Sequence, residues 1–262
     1  MDDDTREGRD PAPAVTRSIR LLGLLAEAGG PRTLTELAGD LGLAKSSTAN
    51  ICLALEAGGM LQRTAQGYRL GLRTAELGGA FAAQFNQIRE FYSVCEASPV
   101  LSSELVQVAL LDGADALYVA RYEGSRSVRI GTPLGSRLPA TLSAAGRALL
   151  ATMTDDEVVS LIGRDAEFPR LTERSMATTA ELLEVLATAR RRGWSLDAEE
   201  SFRGIVGVAV PLDGWAPSDP PLALGVAIRA VEAEYERIER VGDALRDAAA
   251  ALTNPFSAAA RR

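Results

Sequence analysis

The sequence predicts an α+β protein of two domains, with a small helical domain first and a larger mixed domain after it. Three short helical patterns and a hairpin pattern fill residues 14–71, whereas strands and helices follow one another through residues 93–254. A chain of 262 residues can form two hydrophobic cores. With 47% hydrophobic and 24% charged residues, the composition is that of a folded protein rather than a disordered one.

Both ends of the chain are predicted to lie outside the domains. Residues 1–13 are acidic and contain two prolines, so we expect a disordered tail, and residues 255–262 form a second short tail. The start, Met1-Asp2-Asp3-Asp4, lacks the positive charge of a signal peptide, and no apolar stretch is long enough to span a membrane. The sequence therefore predicts a cytoplasmic protein without a membrane partner.

The first two helices of the small domain are predicted from their apolar spacing and their ends. The pattern for a helix over Thr16–Ala28 stops at Gly29-Gly30-Pro31. Thr33 and Glu36 then form a capping box, in which each side chain accepts a hydrogen bond from the other residue's backbone N–H. This box predicts that a second short helix begins immediately after Thr33.

A glycine turn and a hairpin complete the small domain. Gly42 permits a tight turn before a third helix over Ala44–Ala57, which by itself fits either a helix-turn-helix or an αα-hairpin of a small bundle. Two short strands, Met60–Thr64 and Tyr68–Leu70, follow as a wing. Residues 15–75 also carry six arginines and one lysine against four acidic residues, although the chain as a whole has a net charge of −7. Together these features favour a DNA-binding winged helix-turn-helix.

Absent residue types exclude several kinds of chemistry. The chain has no histidine, one lysine (Lys45) and two cysteines (Cys52 and Cys95) that are far apart. Without histidine, Ser-His-Asp and Cys-His nucleophiles are excluded, and structural zinc lacks ligands. With a single lysine in the chain, Schiff-base and Walker-A mechanisms are disfavoured. We expect no cofactor, no metal and no enzymatic activity.

A linker helix is predicted over residues 72–92. Its apolar residues, Leu77, Phe81, Phe85 and Ile88, lie on one face at helical spacing. That face either packs against the C-terminal domain or joins two copies of the chain, as readers of paired DNA half-sites require. The sequence favours a homo-oligomer, either a dimer or a tetramer.

The larger domain, residues 93–254, is predicted to contain a mostly antiparallel sheet covered by helices. The predicted strands are Leu105–Leu111, Ala116–Tyr122, Ser127–Gly131, Ile205–Leu212 and Leu222–Ala230. The predicted helices are Ser143–Thr152, Asp155–Ile162, Thr179–Arg192 and Glu232–Leu252.

Several segments, in this order, resemble the IclR family of bacterial transcriptional regulators. They are TLTELAGDLGLAKSS (Thr33–Ser47), YRLG (Tyr68–Gly71), PLGSRLP (Pro133–Pro139), SAAGRALLA (Ser143–Ala151) and RGWSLDAEE (Arg192–Glu200). The resemblance implies a C-terminal GAF-like domain that binds a small effector, and a dimer or a tetramer. This sequence departs from the family at Ala49-Asn50, where a His-Arg pair is common. The operator sequences of the family therefore do not predict the operator of this protein.

The residues predicted to contact double-stranded DNA lie on the third helix and on the wing. Helical periodicity directs Ala44, Ser47, Thr48, Ile51, Ala54 and Leu55 to the core, and Lys45, Ser46, Ala49, Asn50 and Leu53 outward. Asn50 has the geometry to pair with adenine through two hydrogen bonds. Lys45, Ser46 and Asn50 are the predicted base readers. Ser47 and Thr48 are predicted to pack in the core, with a phosphate contact as the alternative. Arg63 and Arg69 are predicted to contact phosphates, with plain surface charge as the alternative.

The family resemblance also implies the positions that line the effector cavity. These are Ile130, Leu138, Ala144, Ala145, Asp197, Gly207, Ala227 and Arg229. Asp197 either accepts a ligand hydroxyl or caps local structure. Arg229 is predicted to bind a carboxylate on the effector, with a salt bridge to Asp197 or a solvated strand end as the alternatives.

Two other functions remain open from the sequence. One is a ligand-modulated enzyme that uses the carboxylates of Asp197, Glu199 and Glu200. The other is a DNA-binding protein without an effector.

Overall fold

The computed structural model describes residues 10–83, 86–126, 128, 132–214 and 219–253. The chain divides into two units, Met1–Phe81 and Ala82–Arg262. In the described part of the chain, no helix has both the length and the low polarity required to cross a membrane.

The first unit is a winged helix-turn-helix, as predicted. Its elements are α1 (Pro13–Glu27), α2 (Leu34–Leu41), α3 (Lys45–Ala57), β1 (Leu61–Thr64), β2 (Gly67–Leu70) and α4 (Leu72–Ala82). The Thr33–Glu36 capping box is present at the start of α2, and Gly42 ends that helix with a φ of 67°. Helix α1 begins inside the predicted tail because Pro13 occupies its first position, where a missing N–H costs nothing.

The wing is fixed to the helices through Arg32. The backbone N–H and C=O of Arg32 exchange hydrogen bonds with those of Tyr68, at 2.9 and 2.8 Å, and so extend the β1–β2 hairpin by a bridge. Gly67 has a φ of 135°, and a Cβ at this position would lie 2.3 Å from the Arg32 carbonyl oxygen. Only glycine fits the turn that holds the wing in this place.

The predicted single linker helix is replaced by two helices. Helix α4 ends at Ala82 and α5 (Asn86–Ala97) follows, while Phe85, part of the predicted apolar face, lies outside the described residues. Ile88 is buried with Phe91 and Cys95 in the core of the second unit. The prediction of one helix with one continuous apolar face is therefore wrong, because its second half packs into the second unit.

In the described part of the second unit, six strands form one antiparallel sheet. Its strands are β3 (Leu105–Asp112), β4 (Asp115–Glu123), β5 (Arg137–Pro139), β6 (Ser195–Ala198), β7 (Ile205–Leu212) and β8 (Leu222–Arg229), in the order β5-β4-β3-β8-β7-β6. Strands β5 and β6 were not predicted because three or four residues are too few to show an alternating pattern. The predicted strand Ser127–Gly131 falls almost entirely outside the described residues.

Helices cover both faces of this sheet. Helices α5 and α9 (Tyr235–Leu252) pack against one face, and α6 (Ala144–Leu150) packs against the other. Helices α7 (Asp155–Ile162) and α8 (Thr179–Arg192) form a further cluster beside α6. The strand alternation places small residues toward α6 and larger apolar residues toward α9.

Candidate functional site

The exposed face of α3 is the first candidate site. Ser46, Ser47, Asn50, Leu53 and Ala54 are exposed, whereas Thr48 and Cys52 are buried. At about 100° per residue, Asn50 lies at the centre of the exposed face. Lys45 is exposed at the first residue of the helix.

The predicted orientation of α3 needs correction. Ala44, Ser47 and Ala54 are predicted to face the core but are exposed. Thr48 is fully buried, which agrees with its predicted core position and removes it as a DNA contact. The Thr48 hydroxyl donates to the carbonyl oxygen of Ala44, four residues earlier, at 3.2 Å. Thr48 is therefore a packing residue, and Ser47 is on the exposed face with Asn50.

The two wing arginines are exposed and lie on opposite faces of the hairpin. Arg63 stands opposite Tyr68, with its guanidinium carbon 5.8 Å from the ring centroid. Arg69 stands opposite Gln62 and donates to its Oε1 from Nε and Nη2, at 2.9 and 2.7 Å. Both side chains are oriented by these contacts, and both charges remain accessible.

A small cavity of about 40 Å³, open at its mouth, lies in the second unit between α6 and the sheet. Six predicted effector residues line it, namely Leu138, Ala144, Ala145, Asp197, Gly207 and Ala227. A Cβ at Gly207 would lie 3.1 Å from Ala144 Cβ and 3.3 Å from Asp197 Cβ, so this glycine keeps the cavity open. Ile130, the seventh, lies outside the described residues.

Asp197 is the acidic group of this cavity. Its Oδ1 accepts hydrogen bonds from the backbone N–H groups of Glu200 and Ser201, at 2.7 and 3.3 Å. Burial raises the pKa of Asp197 to about 6, and these hydrogen bonds and the charge of Arg147 act in the opposite direction. Asp197 thus caps the following loop with one oxygen while its carboxyl group lines the cavity.

Sequence reasoning missed most of the polar lining. Gln107, Tyr118, Thr132, Ser143 and Ser201 also border the cavity. Burial raises the pKa of the Tyr118 phenol, the charge of Asp197 raises it further, and Ser143 partly offsets this. Gln107 Nε2 donates to the Thr132 carbonyl oxygen at 3.0 Å, and the Thr132 hydroxyl donates to Gln107 Oε1 at 3.3 Å.

Arg229, the eighth predicted residue, does not reach the cavity. It is the last residue of β8, its side chain is 60% exposed, and it pairs with Glu232. The alternative salt bridge to Asp197 is absent, and the other alternative, a solvated strand end, is the one observed. The alternation of β8 was predicted correctly, since Gly225 and Ala227 face the cavity, but at the strand end the guanidinium turns into solvent.

Asp197, Glu199 and Glu200, the carboxylates of the alternative enzyme hypothesis, all have structural partners. Glu199 pairs with Arg174 at 2.7 Å and accepts from the backbone N–H of Gly204 at 2.8 Å. Glu200 forms a two-pronged pair with Arg147, while Asp197 accepts backbone N–H groups. Among the described residues, no group of histidine, cysteine or acidic side chains is arranged to bind a metal ion.

A winged helix-turn-helix with an exposed polar helix, joined to a domain with an interior cavity, defines a ligand-responsive DNA-binding regulator. The IclR helix-turn-helix domain model matches residues 14–65, and the model for the C-terminal domain of the bacterial transcriptional regulator IclR matches residues 93–254. The chain therefore belongs to the IclR family of bacterial transcriptional regulators, which confirms the resemblance found in the sequence.

Individual relatives agree with this assignment. The HTH-type transcriptional repressor AllR of Salmonella paratyphi A is 29% identical over 240 residues, covering 91% of this chain and 88% of that protein. A transcriptional regulator from Rhodococcus sp. RHA1 matches with a TM-score of 0.79 and 26% identity, over 92% and 96% of the two chains. An IclR homologue from Microbacterium hydrocarbonoxydans, solved with 4-hydroxybenzoate, has the same fold (TM-score 0.75, 23% identity, 91% and 97% covered). Because the curated relatives are transcriptional repressors, the chain is a regulator and not an enzyme.

Proposed function

We propose that this protein represses transcription by binding an operator through α3, and that a small molecule in the α6 cavity changes its affinity for that operator. The observation that carries the proposal is the polar face of α3, on which Ser46, Ser47 and Asn50 are all exposed within a winged helix-turn-helix. Relatives that are named as transcriptional repressors support repression rather than activation.

The proposed division of labour on DNA follows from the exposed positions. Asn50, at the centre of the face, reads a base edge in the major groove, and Lys45 and Ser46 approach it from the start of the helix. Ser47 contacts a phosphate. Arg63 and Arg69 point to opposite sides of the wing, so they contact different phosphates.

The proposed effector is a small, largely apolar molecule with a hydroxyl group. No lysine or arginine is among the described residues that line the cavity, whereas Asp197 offers an acceptor there. A ligand carboxylate beside an ionised Asp197 would be repelled, so we place the hydroxyl end of the ligand against Asp197. The 4-hydroxybenzoate found in a structural relative has a hydroxyl group, and it is the first compound to test.

The proposed assembly is a dimer, alone or paired into a tetramer. Leu77 and Phe81 are one helical turn apart on α4 and are partly exposed, as are Val15 and Ile19 on α1. Two recognition helices must reach major grooves about 34 Å apart, or a multiple of that distance. Sedimentation should show a dimer or a tetramer, and a stable monomer at micromolar concentration would contradict the proposal.

The experiment for the whole proposal is a metabolite panel, beginning with 4-hydroxybenzoate, measured by thermal shift on wild type and on Ala227→Leu. The added side chain at Ala227 fills the cavity, so a true effector should raise the melting temperature of wild type only. The same compound should change the operator affinity of wild type without itself being converted. A stabilising compound that is turned over would contradict a regulator and favour an enzyme.

A further inference from the structure

A second pocket, lined by three arginines, lies on the opposite face of the sheet from the effector cavity. It is an open pocket of about 290 Å³ between the segment that precedes β3 and helix α9. Its polar lining consists of Ser103, Glu104, Arg126, Arg237 and Arg240. It shares no residue with the cavity under α6.

The wall that carries Arg126 is fixed by the backbone. The N–H of Arg126 donates to the Ser103 carbonyl oxygen at 2.8 Å, and the N–H of Gly124 donates to that of Glu104 at 2.9 Å. A Cβ on Gly124 would lie 2.4 Å from the Ser103 carbonyl carbon, so only glycine allows this close contact. The turn that presents Arg126 is thereby held against the pocket.

Of the three arginines that line this pocket, one is paired with carboxylates. Arg237 pairs with the buried carboxylate of Glu104 at 2.7 Å and with Glu232 at 2.5 Å. Arg126 and Arg240 have no ion-pair partner among the residues that the structure describes. Two unmatched guanidinium groups therefore line one pocket, in a part of the chain whose net charge is negative.

We propose that this pocket binds a dianionic oxyanion, either free phosphate or the phosphate group of a small phosphomonoester. The planar guanidinium donates two parallel hydrogen bonds to such a group, and two of them match its two charges. Arg237, already paired with Glu104 and Glu232, lines the same pocket. The site is independent of the effector cavity and of the DNA-binding unit.

The test is calorimetry on the full-length protein with inorganic phosphate and, separately, with glycerol 3-phosphate, at ionic strength matched with sodium chloride. Arg126→Gln and Arg240→Gln should each weaken binding by about tenfold or more, the loss expected for a charge-assisted hydrogen bond. Arg164→Gln, the same change at an exposed arginine that lines neither pocket, should bind as wild type does.

The outcomes separate the sources and decide the proposal. Tighter binding of glycerol 3-phosphate than of phosphate assigns the site to a phosphomonoester, and the reverse order assigns it to free phosphate. Asp197→Asn should leave both affinities unchanged, which separates this site from the effector cavity. Absence of binding above the chloride control, or wild-type affinity in both arginine variants, would overturn the proposal.

Discussion

Arg147 and Glu200 form a two-pronged ion pair, with Nη1–Oε1 and Nη2–Oε2 distances of 2.8 and 2.5 Å. The Arg147 side chain is 1% exposed. It also donates to the carbonyl oxygens of Thr141 and Leu196, at 2.8 and 2.6 Å, and so joins α6 to β6. Glu200 in turn donates its backbone N–H to Asp197 in the cavity, so the pair supports the wall of the effector site.

Removing one partner of this pair should destabilise the second unit strongly. Arg147→Met leaves the Glu200 carboxylate without its partner, and we expect a loss of about 3–5 kcal/mol in the free energy of unfolding, measured with urea. The double variant Arg147→Met, Glu200→Leu should lose less, because no charge remains unpaired. Equal stability of wild type and Arg147→Met would contradict the role assigned to the pair.

Asp197 should make stability depend on pH. Its folded pKa is raised from 3.8 to about 6, so the folded state retains a proton that the unfolded state has already lost. Stability contributed by this group is complete below about pH 4 and is lost as pH rises through about 6, by an amount on the order of 2–3 kcal/mol.

The matched variant is Asp197→Asn, whose side-chain oxygen still accepts from Glu200 and Ser201 but does not titrate. The wild-type free energy of unfolding, minus that of the variant, should fall between pH 4 and pH 7. A difference that stays constant over this range would show that folding does not raise the pKa of Asp197.

The wing should depend on Gly67. Gly67→Ala places a methyl group against the Arg32 carbonyl and strains a backbone with φ of 135°. We expect a loss of about 1–3 kcal/mol in stability and weaker DNA binding, because the Arg32–Tyr68 bridge must move. Gly113→Ala, at a glycine with positive φ but open space around it, is the control and should leave DNA binding intact.

Lys45 should contribute to DNA affinity mainly through charge. Lys45→Ala removes one cation from the exposed start of α3, so the slope of log affinity against log salt should become shallower by about one. Arg164→Ala, a charge deletion in the other unit, should leave the slope unchanged. An unaltered slope in Lys45→Ala would place this lysine away from DNA.

The helices of this fold were the most predictable part, because their ends are determined locally. The Thr154 and Thr178 capping boxes and the left-handed Gly193 define α7 and α8 at the predicted residues. The orientation of α3 was less accessible, since alanine and serine mark a buried face poorly. Its core contacts are made by Thr48, Ile51 and Leu55, as predicted, and by Cys52, which was not.

The candidate effector site was predictable in its apolar frame but not in its polar lining. Leu138, Ala144 and Gly207 came from the family resemblance, whereas Gln107, Tyr118 and Ser201 reach the cavity from separate segments. The register of β3 with β4 and β8 brings Gln107 and Tyr118 together, and Ser201 comes from the loop between β6 and β7. The prediction that Arg229 lines the cavity was wrong because alternation predicts the face of a strand and not where the strand ends.

The most direct test of the account is selection of DNA sites from a random library by full-length wild type and by Asn50→Ala. Wild type should enrich a motif with two related half-sites, and Asn50→Ala should lose preference at one base pair in each, at a cost of about 1–3 kcal/mol on the selected operator. Enrichment of the same motif with equal affinity by both proteins would show that the exposed face of α3 does not read the operator.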